Sequence, residues 1–297
     1  MSRIEERLSR LNGNKALVAF FTAGDPDLFA SKEIFSVIEK SGADIIEIGV
    51  PFSDPLADGP VIQASSHRSL QNGTTLKKII ELVTDIRSQS QLPIVLMTSF
   101  NPVFVYGQKI FVEDAVKAGV DGVIVPDLPP EEADEFLAYA NEKQLDMIFL
   151  LAPTSTSDRI QRIGEISKGF VYYVSLTGTT GTKTALSKNL QEKVTTIKNK
   201  VQLPVLVGFG ISGPEQAKEA AQCSDGVIIG SAIVKMIETY SDPIERNRNI
   251  ADFVSGIKKT SLTASEPSPC LPRYRSLFQL SMKKTLLDLF LMLCRKT

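Results

Sequence analysis

Read for the alternation of apolar and polar positions, the chain repeats one unit. A short run rich in β-branched and aromatic residues is followed by a stretch whose apolar residues fall three and four apart, and the pair recurs along most of the length. The runs ALVAFFT (16–22), DIIEIGV (44–50), PIVLMTS (93–99), DGVIVP (121–126), DMIFLLA (146–152), FVYYVSL (170–176), PVLVGF (204–209) and GVIIG (226–230) predict eight strands. Between them, stretches such as LFASKEIFSVIEKSG, TTLKKIIELVTDIRSQ and NLQEKVTTIKNKV predict helices, several ending in Gly or Asn as helix C-termini do. Eight strands alternating with helices predict an α/β fold, a (β/α)8 TIM barrel, with the charged leading segment MSRIEERLSRLNGNK as a helix capping the barrel floor. An open doubly wound sheet competes with this reading. Against it, no G-x-G-x-x-G follows the first strand, where a dinucleotide fold needs it.

The repeat ends at about Lys259, which sets a barrel domain at 1–260 and an atypical C-terminal extension at 261–297. The extension opens with Ser, Thr and prolines, the chemistry of a linker. Its apolar stretch TLLDLFLMLC is too short for a membrane span and contains an aspartate. It reads either as a terminal amphipathic helix that docks on the barrel, a partner or a membrane surface, or as a poorly ordered tail.

Composition narrows the chemistry. A net charge of -1 over 297 residues gives no reason to expect nucleic acid as a partner. The N-terminus has no apolar signal segment, and three widely spaced cysteines, Cys223, Cys270 and Cys294, do not form a disulfide framework; both point to the cytoplasm. His67 is the only histidine, which rules out a two-histidine metal site and predicts no metal.

Function in such a barrel sits at the C-terminal ends of the strands. Along 44–50, alternation puts Ile45, Glu47 and Gly49 on one face and Ile46, Ile48 and Val50 on the other. The second face is wholly apolar and suits the helices, so Glu47 points into the barrel. There its pKa should rise, making it a candidate acid or base. The plainer reading is a buried glutamate paired with Lys or Arg. The following loop, PFSDPLADGP, is stiffened by proline and holds Asp54 and Asp58, of which Asp58 is a plausible second carboxylate. Later, Gly178-Thr179-Thr180-Gly181, Gly208-Phe209-Gly210-Ile211-Ser212-Gly213 and Gly230-Ser231 each follow a predicted strand, as a phosphate cradle would. Without a Walker-type lysine they do not imply a nucleoside triphosphate. Phe20, Ile124, Leu150, Tyr172 and Phe209 are positioned either to line an apolar pocket or to be plain core.

The stretches ADIIEIGVPFSDPLADGPVIQ, YYVSLTGTTG and VLVGFGISGPEQ resemble, in order, the α-subunit family of tryptophan synthase, over roughly residues 1–260. The resemblance implies retro-aldol cleavage of indole-3-glycerol phosphate to indole and glyceraldehyde 3-phosphate, with no cofactor in this chain. It implies Glu47 and Asp58 as the catalytic pair, and phosphate contacts at Gly181, Gly210, Gly230 and Ser231. It places the indole pocket at Phe20, Ile124, Leu150, Tyr172, Thr180 and Phe209, with Thr180 in a loop that closes over the substrate. It also implies an αββα complex with a β-subunit that carries pyridoxal phosphate. The face meeting that subunit falls on Pro51 and Asp54 and on the loop Asn101-Pro102-Val103-Phe104. Two departures stand out: Ser99 occupies a strand end where the family commonly has an aromatic residue, and the extension has no counterpart. A pentose-phosphate epimerase would need more histidines, and a Schiff-base aldolase or an indole-glycerol-phosphate synthase would need a lysine on a barrel strand. A binding module that keeps the fold but has lost catalysis is the competing functional class.

Overall fold

A computed structural model describes residues 1–55, 58–175, 183–208 and 210–262. Most of the extension, residues 263–297, therefore lies outside the described residues. Strands form where the sequence alternates: β1 (Ala16–Thr22), β2 (Ile45–Gly49), β3 (Ile94–Met97), β4 (Gly122–Ile124), β5 (Asp146–Ile148), β6 (Leu150–Leu151), β7 (Val171–Val174), β8 (Val205–Gly208) and β9 (Gly226–Ile229). All pair in parallel, in the order β5-β4-β3-β2-β1-β9-β8-β7-β6.

Among the described residues there are nine strand segments where eight strands were expected, because the fifth run is divided at Phe149. Its first half pairs with β4 and its second with β7, and Tyr172 N–H donates to the Phe149 carbonyl at 3.2 Å. The ring thus closes through one continuous piece of chain.

Alternation sorts the apolar side chains into two cores. Val18, Ile45, Val95, Ile124, Ile148, Tyr172, Leu206 and Ile228 fill the barrel, together with Ile4 from the first helix, Arg3–Ser9. Leu17, Ile46, Ile48, Leu96, Val123, Val207 and Ile229 face the surrounding helices. The glycines at the narrow end are forced by this packing: a Cβ on Gly122 would come within 3.0 Å of Ile4 and Ile148.

The barrel floor solves a backbone problem with aspartates. An N–H at the start of a strand can lie beyond the ladder, and a buried donor must find another partner. Asp44, Asp121 and Asp225, each just before a strand, accept from Leu17 N–H (2.7 Å), Ile94 N–H (2.8 Å) and Val205 N–H (2.9 Å) of the neighbouring strand. Asp44 and Asp121, with Asp146, also hold the N-terminal helix. Arg7 donates to Asp44, which Lys258 also meets; Arg3 donates to Asp121 at 2.8 Å alongside Arg87, and Ser2 Oγ donates to Asp146 at 2.5 Å. The expected floor-capping helix is present, and a Ser2/Glu5 capping box starts it.

Two helices escaped the apolar pattern. Pro60–Gln71 buries Ser65, Ser66 and Ser69 rather than aliphatic residues, so it has no hydrophobic stripe to read. The segment expected as a loop at Asn101–Phe104 is helical, within Phe100–Tyr106.

Removal of the Asp121 carboxylate should be costly, since it leaves two guanidinium groups and one strand N–H without their acceptor. Asp121→Ala is expected to lower the unfolding free energy by ~3 kcal/mol or more in urea titrations. Glu6→Ala, which breaks an exposed pair with Arg10, should change it by under ~1 kcal/mol.

Candidate active site

β2 delivers Glu47 to the barrel interior in register with Phe20 on β1 and Val95 on β3. It is 1% exposed, and its Oε2 has no hydrogen-bond partner among the described residues. Among the described residues no Lys or Arg pairs with this carboxyl, as the ion-pair alternative would need. Burial, and secondarily the negative charge of Asp58, push its pKa from 4.5 up to about 8.

Asp58 is half-buried at the end of the loop that follows β2. Its N–H donates to the Pro55 carbonyl at 3.0 Å, and its own carbonyl accepts from Gln63 Nε2 at 2.8 Å, so its backbone is tied to the first turn of the Pro60–Gln71 helix. Burial raises its pKa to about 6. The buried Tyr172 phenol is pushed well above its ordinary value, first by burial and then by the charges of Glu47 and Asp58.

Glycines shape the walls. A Cβ on Gly49 would stand 2.6 Å from the Phe20 ring, and one on Gly230 would stand 3.2 Å from it. A Cβ on Gly208 would meet the Tyr172 hydroxyl at 2.4 Å. Both aromatics lie over strand ends that only glycine leaves open. Ile124 and Tyr172 belong to the inner core, and Leu150 is partly exposed at its edge.

Gly210, at φ 76°, occupies the left-handed region that favours glycine. Gly230 is the N-cap of the helix Ser231–Thr239 and, like Gly213 before Pro214–Cys223, offers no side-chain cap. The first N–H groups of such a helix point outward without intrahelical acceptors. Thr180, Gly181 and Phe209 lie outside the described residues. An open recess of about 390 Å³ adjoins Ser231, lined by Val61, Ser212, Lys235 and Tyr240 among others. It contains neither carboxylate, so the acids rather than this recess locate the chemistry.

Of the six positions expected at a partner interface, Asp54, Asn101 and Phe104 are exposed, Pro102 is partly so, and Pro51 and Val103 are buried. Beside Asn101 stand Phe104 (63% exposed), Val105 (77%) and Ile110 (55%), a concentration of large apolar side chains in water. Ser99 is the N-cap residue of the Phe100–Tyr106 helix, whose first N–H donates to Asp127. The arrangement that sequence reading missed is Arg68, whose guanidinium grips Asp25 and also reaches Glu238.

A closed parallel barrel with two raised carboxyl groups at the ends of its strands has the equipment of an acid–base enzyme. A model of the tryptophan synthase alpha chain family matches residues 8–261. A tryptophan synthase alpha chain from Geobacter sp. (strain M21) is 51% identical over 267 residues, covering 89% of this chain and all of that protein. One from Caldanaerobacter subterraneus subsp. tengcongensis is 46% identical over 87% of this chain and 99% of its own length. Among solved structures, tryptophan synthase subunit alpha from Legionella pneumophila superposes with a TM-score of 0.81 at 36% identity, over 88% of this chain and 98% of that one. The chain belongs to the tryptophan synthase alpha chain family, as the three sequence stretches implied.

The raised Glu47 pKa links stability to pH. The folded state binds this proton more tightly than the unfolded state, so the stability it confers is complete below pH 4.5 and is lost as the pH rises through about 8. Glu47→Gln keeps the neutral form at every pH. Denaturant unfolding at pH 9 should find it more stable than wild type, with an upper bound of ~5 kcal/mol, and the difference should vanish near pH 4.

Proposed function

We infer that Glu47 and Asp58 carry out the retro-aldol cleavage of indole-3-glycerol phosphate to indole and glyceraldehyde 3-phosphate, the carbon–carbon lyase reaction of the family. The observation that carries this reading is a pair of neighbouring carboxyls with unequal environments: one neutral near pH 7, the other largely ionised. Neutral Glu47 gives its proton to indole C3, converting the ring to an indolenine cation. Asp58, as the anion, accepts a hydrogen bond from the ring N–H and stabilises the positive charge there. Glu47, now a carboxylate, takes the proton from the hydroxyl next to the ring. The oxygen becomes a carbonyl, the C–C bond breaks, and its electron pair restores the aromatic indole. Glu47 ends as it began, protonated.

Phe20, Ile124, Leu150 and Tyr172 supply an apolar slot for the flat ring, to which Thr180 and Phe209 are assigned by the family resemblance. The substrate phosphate is assigned to Gly210, Gly230 and Ser231, with Gly181 by resemblance. The uncapped helix start at Ser231 supports that assignment, since outward N–H groups and the helix dipole favour an anion. The protons move between Glu47 and the substrate and the protonated ring takes up the electron pair of the broken C–C bond, so this reading leaves pyridoxal phosphate with the partner subunit.

Membership of the family implies partnership with a tryptophan synthase β-subunit, and an αββα assembly is the form proposed. The exposed Phe104, Val105 and Ile110 beside Asn101 and Pro102 are the surface that suits it, with Asp54 on the loop that also holds Asp58. No described helix is long and apolar enough to cross a membrane, and the cytoplasm is the proposed location. The lyase domain is proposed to end near residue 260, in keeping with the family match to 261.

Indole release by the purified chain, alone and with a β-subunit, tests this reading. Slow release that rises with the partner is expected, and no release in either case would leave only an interaction module. The pH profile of kcat/KM should be a bell with limbs near pH 6, where Asp58 gains its proton, and pH 8, where Glu47 loses one. Folded Glu47→Gln should lose at least ~100-fold in kcat, and a near-wild-type rate would remove Glu47 from the mechanism. Phe104→Asp should leave the slow basal rate intact but weaken β-subunit binding by about tenfold or more in calorimetry.

A further inference from the structure

Helix Pro60–Gln71 begins two residues after Asp58 and holds its carbonyl through Gln63, yet it is not seated by apolar packing. Directional polar contacts hold it. Ser65 Oγ shares a hydrogen bond of 2.6 Å with Thr22 Oγ1 at the end of β1, and Ser69 Oγ donates to the Ala23 carbonyl. Arg68 donates through Nε and a terminal nitrogen to the two oxygens of Asp25, at 2.9 and 2.7 Å, and Asp25 is 2% exposed. Hydroxyls and guanidinium forks fix a helix in both rotation and translation, whereas an apolar stripe tolerates small slips.

The remaining Arg68 nitrogen donates to Glu238 Oε1 at 3.1 Å. Glu238 lies on the helix that opens at Ser231, and Arg68 is only partly exposed. One guanidinium therefore joins three elements: the turn after β1, the helix whose Gln63 ties the Asp58 backbone, and the helix whose first N–H groups face the assigned phosphate position.

We propose that Arg68 is a positioning residue that sets the distance between Asp58 and the helix start at Gly230–Ser231, through its paired contacts to Asp25 and Glu238. The inference rests on the functional reading above, in which the substrate is anchored by its phosphate at one end and exchanges protons at the other. An anchored substrate turns over only if the acid stands where the ring arrives, and a misplacement of about 1 Å can cost about 100-fold in rate. Arg68 is not among the groups assigned to either end of the substrate; its contacts are to Asp25 and Glu238. It acts through the two helices.

The test compares wild type, Arg68→Lys and Glu238→Ala for indole release from indole-3-glycerol phosphate, for glycerol 3-phosphate binding by calorimetry, and for thermal unfolding. Glu238 is at the surface, so its variant retains the Asp25 pair and the fold even if Arg68→Lys does not. The expected result is a fall in kcat of about tenfold in Glu238→Ala, and more in any folded Arg68→Lys, with glycerol 3-phosphate affinity kept within about twofold. A purely structural role would instead lower kcat and glycerol 3-phosphate binding together, in step with the folded fraction, and that outcome overturns the proposal. So does wild-type kcat in Glu238→Ala. A wild type that cleaves no substrate overturns the functional reading as well, which separates that failure from failure of the Arg68 tie alone.

Discussion

Alternation along a closed ring of parallel strands sends every second side chain inward, and the inward set must then fill a space that water does not reach. That constraint governs the rest of the molecule. Aliphatic residues satisfy it at most positions, glycine satisfies it where aromatic rings lie flat against the wall, and Glu47 violates it. A carboxyl in that setting cannot stay ionised cheaply, so it keeps its proton to about pH 8. The proposed chemistry begins with that retained proton.

The two ends of the barrel use acidic residues in opposite ways. At the floor, Asp44 and Asp121 are each met by two cations and also receive a strand N–H, so their charge is absorbed into the architecture. At the mouth, burial raises both Glu47 and Asp58, the Asp58 charge raises Glu47 further, and no cation among the described residues pairs with either. Asp146 shows why a raised pKa alone does not mark a catalytic group: burial lifts it to about 6 as well, yet it sits at the floor and binds Ser2. Position at the strand ends and the company of a second acid are what distinguish the mouth.

The barrel was legible because its strands are bounded by clear breaks and their apolar faces are complete; the parity argument placed Glu47 correctly from Ile46, Ile48 and Val50 alone. The division of the fifth run at Phe149 was not legible, since DMIFLLA reads as one uninterrupted apolar stretch. Helix Pro60–Gln71 was missed for a different reason. Its buried face is made of serines, whose contribution depends on acceptors that lie far away in sequence, although Gly59 before Pro60 is a recognisable helix start. Arg68 shares that invisibility, because its partners Asp25 and Glu238 come from distant parts of the chain.

The Phe20 ring touches the strand that carries Glu47 at Gly49 and the turn of the assigned phosphate position at Gly230. One ring thus spans both halves of the mouth. For anyone seeking to redesign the cavity for a bulkier ring system, neither glycine is an independent variable: enlarging either one first drives the new atom into Phe20. Trimming Phe20 comes first, and it frees space on both sides at once, so the chemistry end and the anchoring end would be remodelled by the same change.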